Sequence, residues 1–127
     1  MLYKCRTQRH DLCVLTVSPD ILDLDNVVVT DSNASSDYVR FAKAPEGLRI
    51  VDRALVFAEY WTHADPIEQF RHKAAKCAEV LVLDCVAPEF IRGAFVVNEQ
   101  AQERLALVAA ELPAAVDAHF FFATGNP

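Results

Sequence analysis

Glycine is scarce, with three residues in 127. So few cannot build a G-x-G-x-x-G dinucleotide loop or a phosphate-binding P-loop, which need several backbone positions free of a Cβ. No G-x-S-x-G nucleophile elbow is present either. The four cysteines, Cys5, Cys13, Cys77 and Cys85, contain no C-x-x-C pair. The four histidines, His10, His63, His72 and His119, show no H-x-x-x-H spacing. Structural zinc is thereby disfavoured, and no metal cofactor is expected. The thiols should be free and buried or half-buried. Cys77, with cations just upstream, has a reactive thiolate as its second reading. No apolar run is long enough to cross a bilayer. The opening MLYKCRTQRHDL lacks the apolar core of a signal peptide, so a cytoplasmic location is the default.

What the chain does have is apolar bulk: 53% hydrophobic residues against 24% charged ones. That suits a single packed domain over residues 1–127. A net charge of −6 and a pI near 5.1 argue against broad, non-specific binding of nucleic acid. Two basic patches remain, Lys4/Arg6/Arg9/His10 and Arg71/His72/Lys73/Lys76. From charge alone each reads as a solvated face.

Strands are expected over Asp11–Val17 (apolar on both faces, hence interior to a sheet), Val27–Thr30, Ala78–Leu83, Gly93–Val97 and Val116–Ala123. Ser18-Pro19-Asp20 opens a turn, and Asp31-Ser32-Asn33 closes the second strand. Residues 34–49 are polar and mixed, with Tyr38 and Phe41 as anchors and a turn at Glu46-Gly47. A helix capped by Asp52 runs to Trp61, whose ring reads as core. Pro66 holds Asp65 extended, and a further helix spans Ile67–Lys76 with Ile67, Phe70 and Ala74 on one face. Pro88–Ile91 makes a short helical turn. Asn98 caps a helix over Glu99–Leu112, whose stripe is Ala101, Leu105, Val108 and Leu112. About five strands with few helices, not strictly alternating, indicate an α+β fold with a mixed or antiparallel sheet.

The most informative stretch is Arg71–Asp84, RHKAAKCAEVLVLD. A basic segment becomes abruptly apolar at Val80, and Glu79 stands at the junction. A carboxylate there is costly to bury without a partner. An ion pair with Lys73 or Lys76 is the better reading on spacing alone. The chemical alternative is that Glu79 holds a ribose hydroxyl and stabilises an oxocarbenium-like ribose as nicotinamide leaves NAD.

Lys76-Cys77-Ala78-Glu79-Val80-Leu81-Val82 resembles the catalytic strand of the DarT family, toxins that ADP-ribosylate thymidine in single-stranded DNA with NAD as donor. Met1-Leu2-Tyr3, Val29–Ala34, Asp52–Trp61 with Ala64-Asp65-Pro66, Arg92–Asn98 and the HFFF segment match the family in order and spacing. The resemblance implies an ADP-ribosyltransferase-like fold and makes Glu79 the catalytic glutamate. It places Lys73 and Lys76 in the loop that recognises the DNA acceptor, and Asn33 beside the nucleotide. Asn33 stands where a histidine is usual and cannot take up a proton at neutral pH. Cys77 replaces a common glutamine. The implied partners are single-stranded DNA and a DarG-like macrodomain antitoxin. The likeness is to the family's C-terminal half, whose first half supplies a histidine-bearing strand, an NAD-clamping loop and arginines. Weak or no transfer by these residues alone, and self-association through uncovered surface, are expected on that account. Two other readings stay open: a truncated or degenerate homologue that binds a partner without activity, and an unrelated α+β interaction domain with an ion-paired Glu79.

Overall fold

The computed structural model describes residues 6–121. The Met1-Leu2-Tyr3 match, Lys4, Cys5 and the end of the HFFF segment lie outside the described residues. The chain forms two compact units, one of residues through Pro19 and from Ala87 onward, the other Asp20–Val86. Six strands and three α-helices among the described residues make it an α+β protein.

The Asp20–Val86 unit is built on β2 (Val27–Thr30), flanked antiparallel by β3 (Phe41–Lys43) and β4 (Val80–Val82). Val27, Val29 and Thr30 are almost fully buried, which suits β-branched residues on a central strand. The buried strand expected over Ala78–Leu83 is instead a three-residue edge strand, with Val80 exposed and Leu81 and Val82 half-buried. Among the described residues β4 pairs only with β2 and its outer side meets no strand, and Asp84 at φ 70° turns the chain away. Tyr38 and Phe41 are not anchors: Tyr38 is 88% exposed and Phe41 55%. Past Pro45 a 3-10 turn, Glu46–Ile50, packs on β3 so closely that a Cβ on Gly47 would lie 2.7 Å from the Ala42 carbonyl oxygen.

The helix expected from Asp52 to Trp61 is a single turn, α1 (Arg53–Val56). Asp52 caps it as expected, its Oδ1 accepting the Leu55 N–H at 3.1 Å. Beyond that turn the carbonyls of Leu55, Val56 and Ala58 are met by side chains from further along the chain, His72 and Lys76. Tyr60 and Trp61 are exposed, not core. Asp65 is extended at ψ 119° and caps α2 (Pro66–Ala75), with Pro66 in its first turn. Ile67 and Phe70 on α2 are exposed.

In the other unit, β5 (Ile91–Val96) lies between β1 (Cys13–Val17), antiparallel, and β6 (Ala114–Val116), parallel. β1 is therefore an edge strand and not the interior one its apolar faces suggested. Cys13, Leu15 and Val17 face outward while Val14 and Thr16 are half-buried. Asn98 caps α3 (Glu99–Val108), accepting the Ala101 N–H at 2.9 Å. Val96, Val97, Ala101 and Phe121 form the core, with Leu12, Val14, Phe95 and Leu105 against it. α3 ends at Ala109, whose φ of −148° leaves the helical region, one turn short of expectation. Val108 is thus not part of the buried stripe. The last expected strand, Val116–Ala123, is replaced by β6 and a 3-10 turn, His119–Phe121. Asp117 arrests the strand by accepting the Phe120 N–H at 3.2 Å.

The thiols of Cys13, Cys77 and Cys85 are free as expected, but exposed and not buried or half-buried. Among the described residues no helix is long and apolar enough to cross a membrane.

Candidate active site

Glu79 immediately precedes β4 and is half-buried. Thr30, the last residue of β2, grips it from beneath. The Thr30 N–H donates to the Glu79 carbonyl at 2.8 Å. The Thr30 hydroxyl accepts the Glu79 N–H at 3.0 Å and donates to the Ser32 carbonyl at 2.7 Å. One hydroxyl so ties the start of β4 to the turn that leaves β2. The Glu79 carboxylate reaches the same turn, its Oε2 accepting the Ala34 N–H at 2.9 Å. Backbone and side chain are fixed independently, which is how a carboxylate is held in advance of a charged transition state.

No cation among the described residues pairs with Glu79. The ion pair favoured by spacing is overturned, because the Lys76 ammonium is occupied by the carbonyls of Ala58 at 2.6 Å and Val56 at 3.2 Å. Lys73 is exposed in the last turn of α2. The structure thus brings the Asn33 turn to Glu79 and sends Lys76 elsewhere.

Asn33 is exposed, and its Oδ1 accepts the Ser35 N–H at 2.9 Å and also the Ser35 hydroxyl. The Ser36 N–H closes on the Asn33 carbonyl at 2.9 Å. This is an asparagine-led turn, the local geometry such side chains favour. It aims the Ala34 N–H at Glu79. The whole loop is clamped at its base. Asp31 accepts the Arg40 backbone N–H at 2.9 Å and the Arg40 Nε at 2.6 Å. Thr30, Ala34, Asp31 and Arg40 were not among the sequence candidates. The Val29–Ala34 match held the signal for the first three.

Burial of Asp31 opposes its ionisation, but the Arg40 N–H and guanidinium outweigh it and hold the carboxyl below the usual carboxylate range. A folded value below the unfolded one means that the clamp contributes fully above about pH 4 and is lost as pH falls through the depressed folded value. Below about pH 4 the loop should therefore loosen. Amide exchange at Ala34 and Arg40 should accelerate there before the β2–β3 ladder is lost, and simultaneous loss of both would refute the clamp.

A groove of about 510 Å³ runs beside this loop, lined by Asp31, Ser32, Tyr38, Arg40, Phe70 and Arg71 among others; Glu79 does not line it.

A family model described as "ssDNA thymidine ADP-ribosyltransferase, DarT" matches residues 1–122. The chain belongs to the DarT family. It is 30% identical over 128 residues to a DNA ADP-ribosyl transferase-DNA ADP-ribosyl glycohydrolase fusion protein of Thermosipho africanus, covering 96% of this chain and 32% of that protein. The structure of Thermosipho africanus DarTG in complex with ADP-ribose matches with a TM-score of 0.78 at 26% identity, over 96% of this chain and 33% of that one. Thermus sp. 2.9 DarT in complex with carba-NAD+ has a like fold, with a TM-score of 0.79 at 19% identity over 94% of this chain and 66% of that one. The chain spans about a third of the Thermosipho relative's length. The α+β, ADP-ribosyltransferase-like fold expected from the sequence is thus the family's own.

Proposed function

We propose that this chain carries the catalytic glutamate of a DarT-type enzyme that moves ADP-ribose from NAD to thymidine in single-stranded DNA. The observation that carries the reading is Glu79 itself, a carboxylate fixed by the Ala34 N–H with no cation among the described residues paired to it. The family description and the ADP-ribose bound to the Thermosipho relative support it.

In this reading the bond between ribose C1′ and nicotinamide breaks, and nicotinamide departs with the bonding pair. The positive charge that develops on the ribose is met by Glu79, whose second oxygen also holds a ribose hydroxyl. The accepting base atom then bonds to C1′, and its proton passes to Glu79 or to solvent. Asn33 donates its amide to the nucleotide and Lys73 neutralises phosphate. Lys76, expected at the DNA from family position, has its ammonium on protein carbonyls. No metal is required by this chemistry.

Single-stranded DNA and a DarG-like macrodomain antitoxin are the partners, in a cytoplasmic toxin–antitoxin pair. The fusion of transferase and glycohydrolase in the Thermosipho relative supports that pairing. The exposed Leu107 (85%) and Val108 (83%) support self-association. Light scattering should show mass rising with concentration, and a constant monomer mass would refute it.

The test of function is incubation with labelled NAD and a thymidine-containing single-stranded oligonucleotide. Expected, in line with weak transfer by these residues alone, is a faint DNA-bound label that needs both thymidine and Glu79. A label that persists in Glu79→Ala, or none from the wild type at any concentration, overturns the proposal.

A further inference from the structure

Polar groups from α2 converge on the open carbonyl end of α1. His72 is buried at 4% exposure, and its Nε2 lies 3.0 Å from the Leu55 carbonyl oxygen. A carbonyl only accepts, so Nε2 carries the hydrogen. In the neutral ring Nδ1 is then an acceptor. It faces His63 Nε2 at 2.8 Å, so His63 must donate, and His63 Nδ1 is left 3.9 Å from Glu68 Oε2. One turn on, Lys76 covers the carbonyls of Val56 and Ala58. A cation on the last carbonyls of a helix offsets their partial negative charge.

Lys76 is also the residue from which the chain runs to Glu79. The N–H groups of Lys76, Cys77 and Ala78 bond back to the carbonyls of His72, Ala74 and Ala75, each at 3.0 Å. The next N–H, that of Glu79, is the one Thr30 accepts. We infer that His72, held by His63, and Lys76 are positioning residues: they clasp α2 to the end of α1 and set where the chain delivers Glu79. Lys76 therefore acts through the protein and not on the DNA. The catalytic consequence rests on the reading of Glu79 above, whereas the clasp itself is measured without turnover.

Lys76→Met keeps the aliphatic stem and removes the ammonium. Amides of residues 76–79 should exchange about 10- to 100-fold faster, with the β2–β3 ladder unchanged. The ¹⁵N imidazole signals of His72 should report the Nε2–H tautomer in the wild type and a mixture of tautomers in His63→Ala. In His63→Gln, whose amide can still donate, the single tautomer should return. In labelling assays Lys76→Met should lower kcat about tenfold or more with KM for the oligonucleotide unchanged. Unchanged exchange together with a raised oligonucleotide KM would make Lys76 a DNA contact and overturn the clasp. A His72 tautomer indifferent to His63 would overturn it as well. Should Glu79→Ala leave labelling intact, the proposed function falls while the exchange and tautomer results still decide the clasp.

Discussion

On the proposed role of Glu79, Glu79→Gln should lower ADP-ribosyl transfer by about 10²- to 10⁴-fold and leave the fold standing. The amide has nearly the size of the carboxyl, and its oxygen can still accept the Ala34 N–H that Oε2 now takes at 2.9 Å. The backbone of Glu79 is held by Thr30 through groups the substitution does not touch. What disappears is the negative charge that the proposed function sets against a developing ribose cation, together with the capacity to accept a proton. Weakening one charge-assisted hydrogen bond at a half-buried site costs about 1 kcal/mol, so the urea midpoint should move little. Activity and stability should thus separate. Transfer retained within about tenfold would remove Glu79 from the chemistry. An equal collapse of stability would make the glutamate a structural residue.

The sequence made some of this site plain and hid the rest for identifiable reasons. Val27–Thr30 was legible because four adjacent β-branched residues leave few alternatives, and the caps Asp52 and Asn98 were legible because their bonds reach only three residues. Helix lengths were not legible. α1 stops where His72 and Lys76, 17 to 20 residues away, meet its carbonyls, and nothing local to Phe57–Trp61 signals those contacts. Glu79 illustrates the same limit. Spacing put cations within reach, but reach does not choose between a carboxylate and two backbone carbonyls, and Lys76 takes the carbonyls. Which strand lies at the centre was equally out of view. β1 and β4 read as interior from their own side chains, yet edge position is decided by whether partners exist on both sides.

The substitution that should cost most stability for the fewest atoms is Thr30→Val. The two side chains have nearly the same shape, so the change swaps a hydroxyl for a methyl at a site with 0% exposure. That hydroxyl serves two backbone groups, the Ser32 carbonyl it donates to and the Glu79 N–H it accepts from. Valine leaves both without that partner where water cannot readily replace it. Each unsatisfied buried group costs about 1–3 kcal/mol, so a loss of roughly 2–5 kcal/mol is expected, a large share of the stability of a small protein. The site should suffer alongside the fold. The turn carrying Ala34 would no longer be tied to the start of β4, and Glu79 would lose its fixed aim. Thr30→Ser separates the causes, since it restores the hydroxyl and removes only the methyl, at about 1 kcal/mol. Urea denaturation should rank wild type above Thr30→Ser and both well above Thr30→Val, with amide protection at Glu79 surviving in the serine variant and lost in the valine one. If valine instead matches or exceeds serine, packing by the methyl and not the paired hydroxyl holds the junction, and the account of how Glu79 is positioned would have to be rebuilt on Ala34 alone.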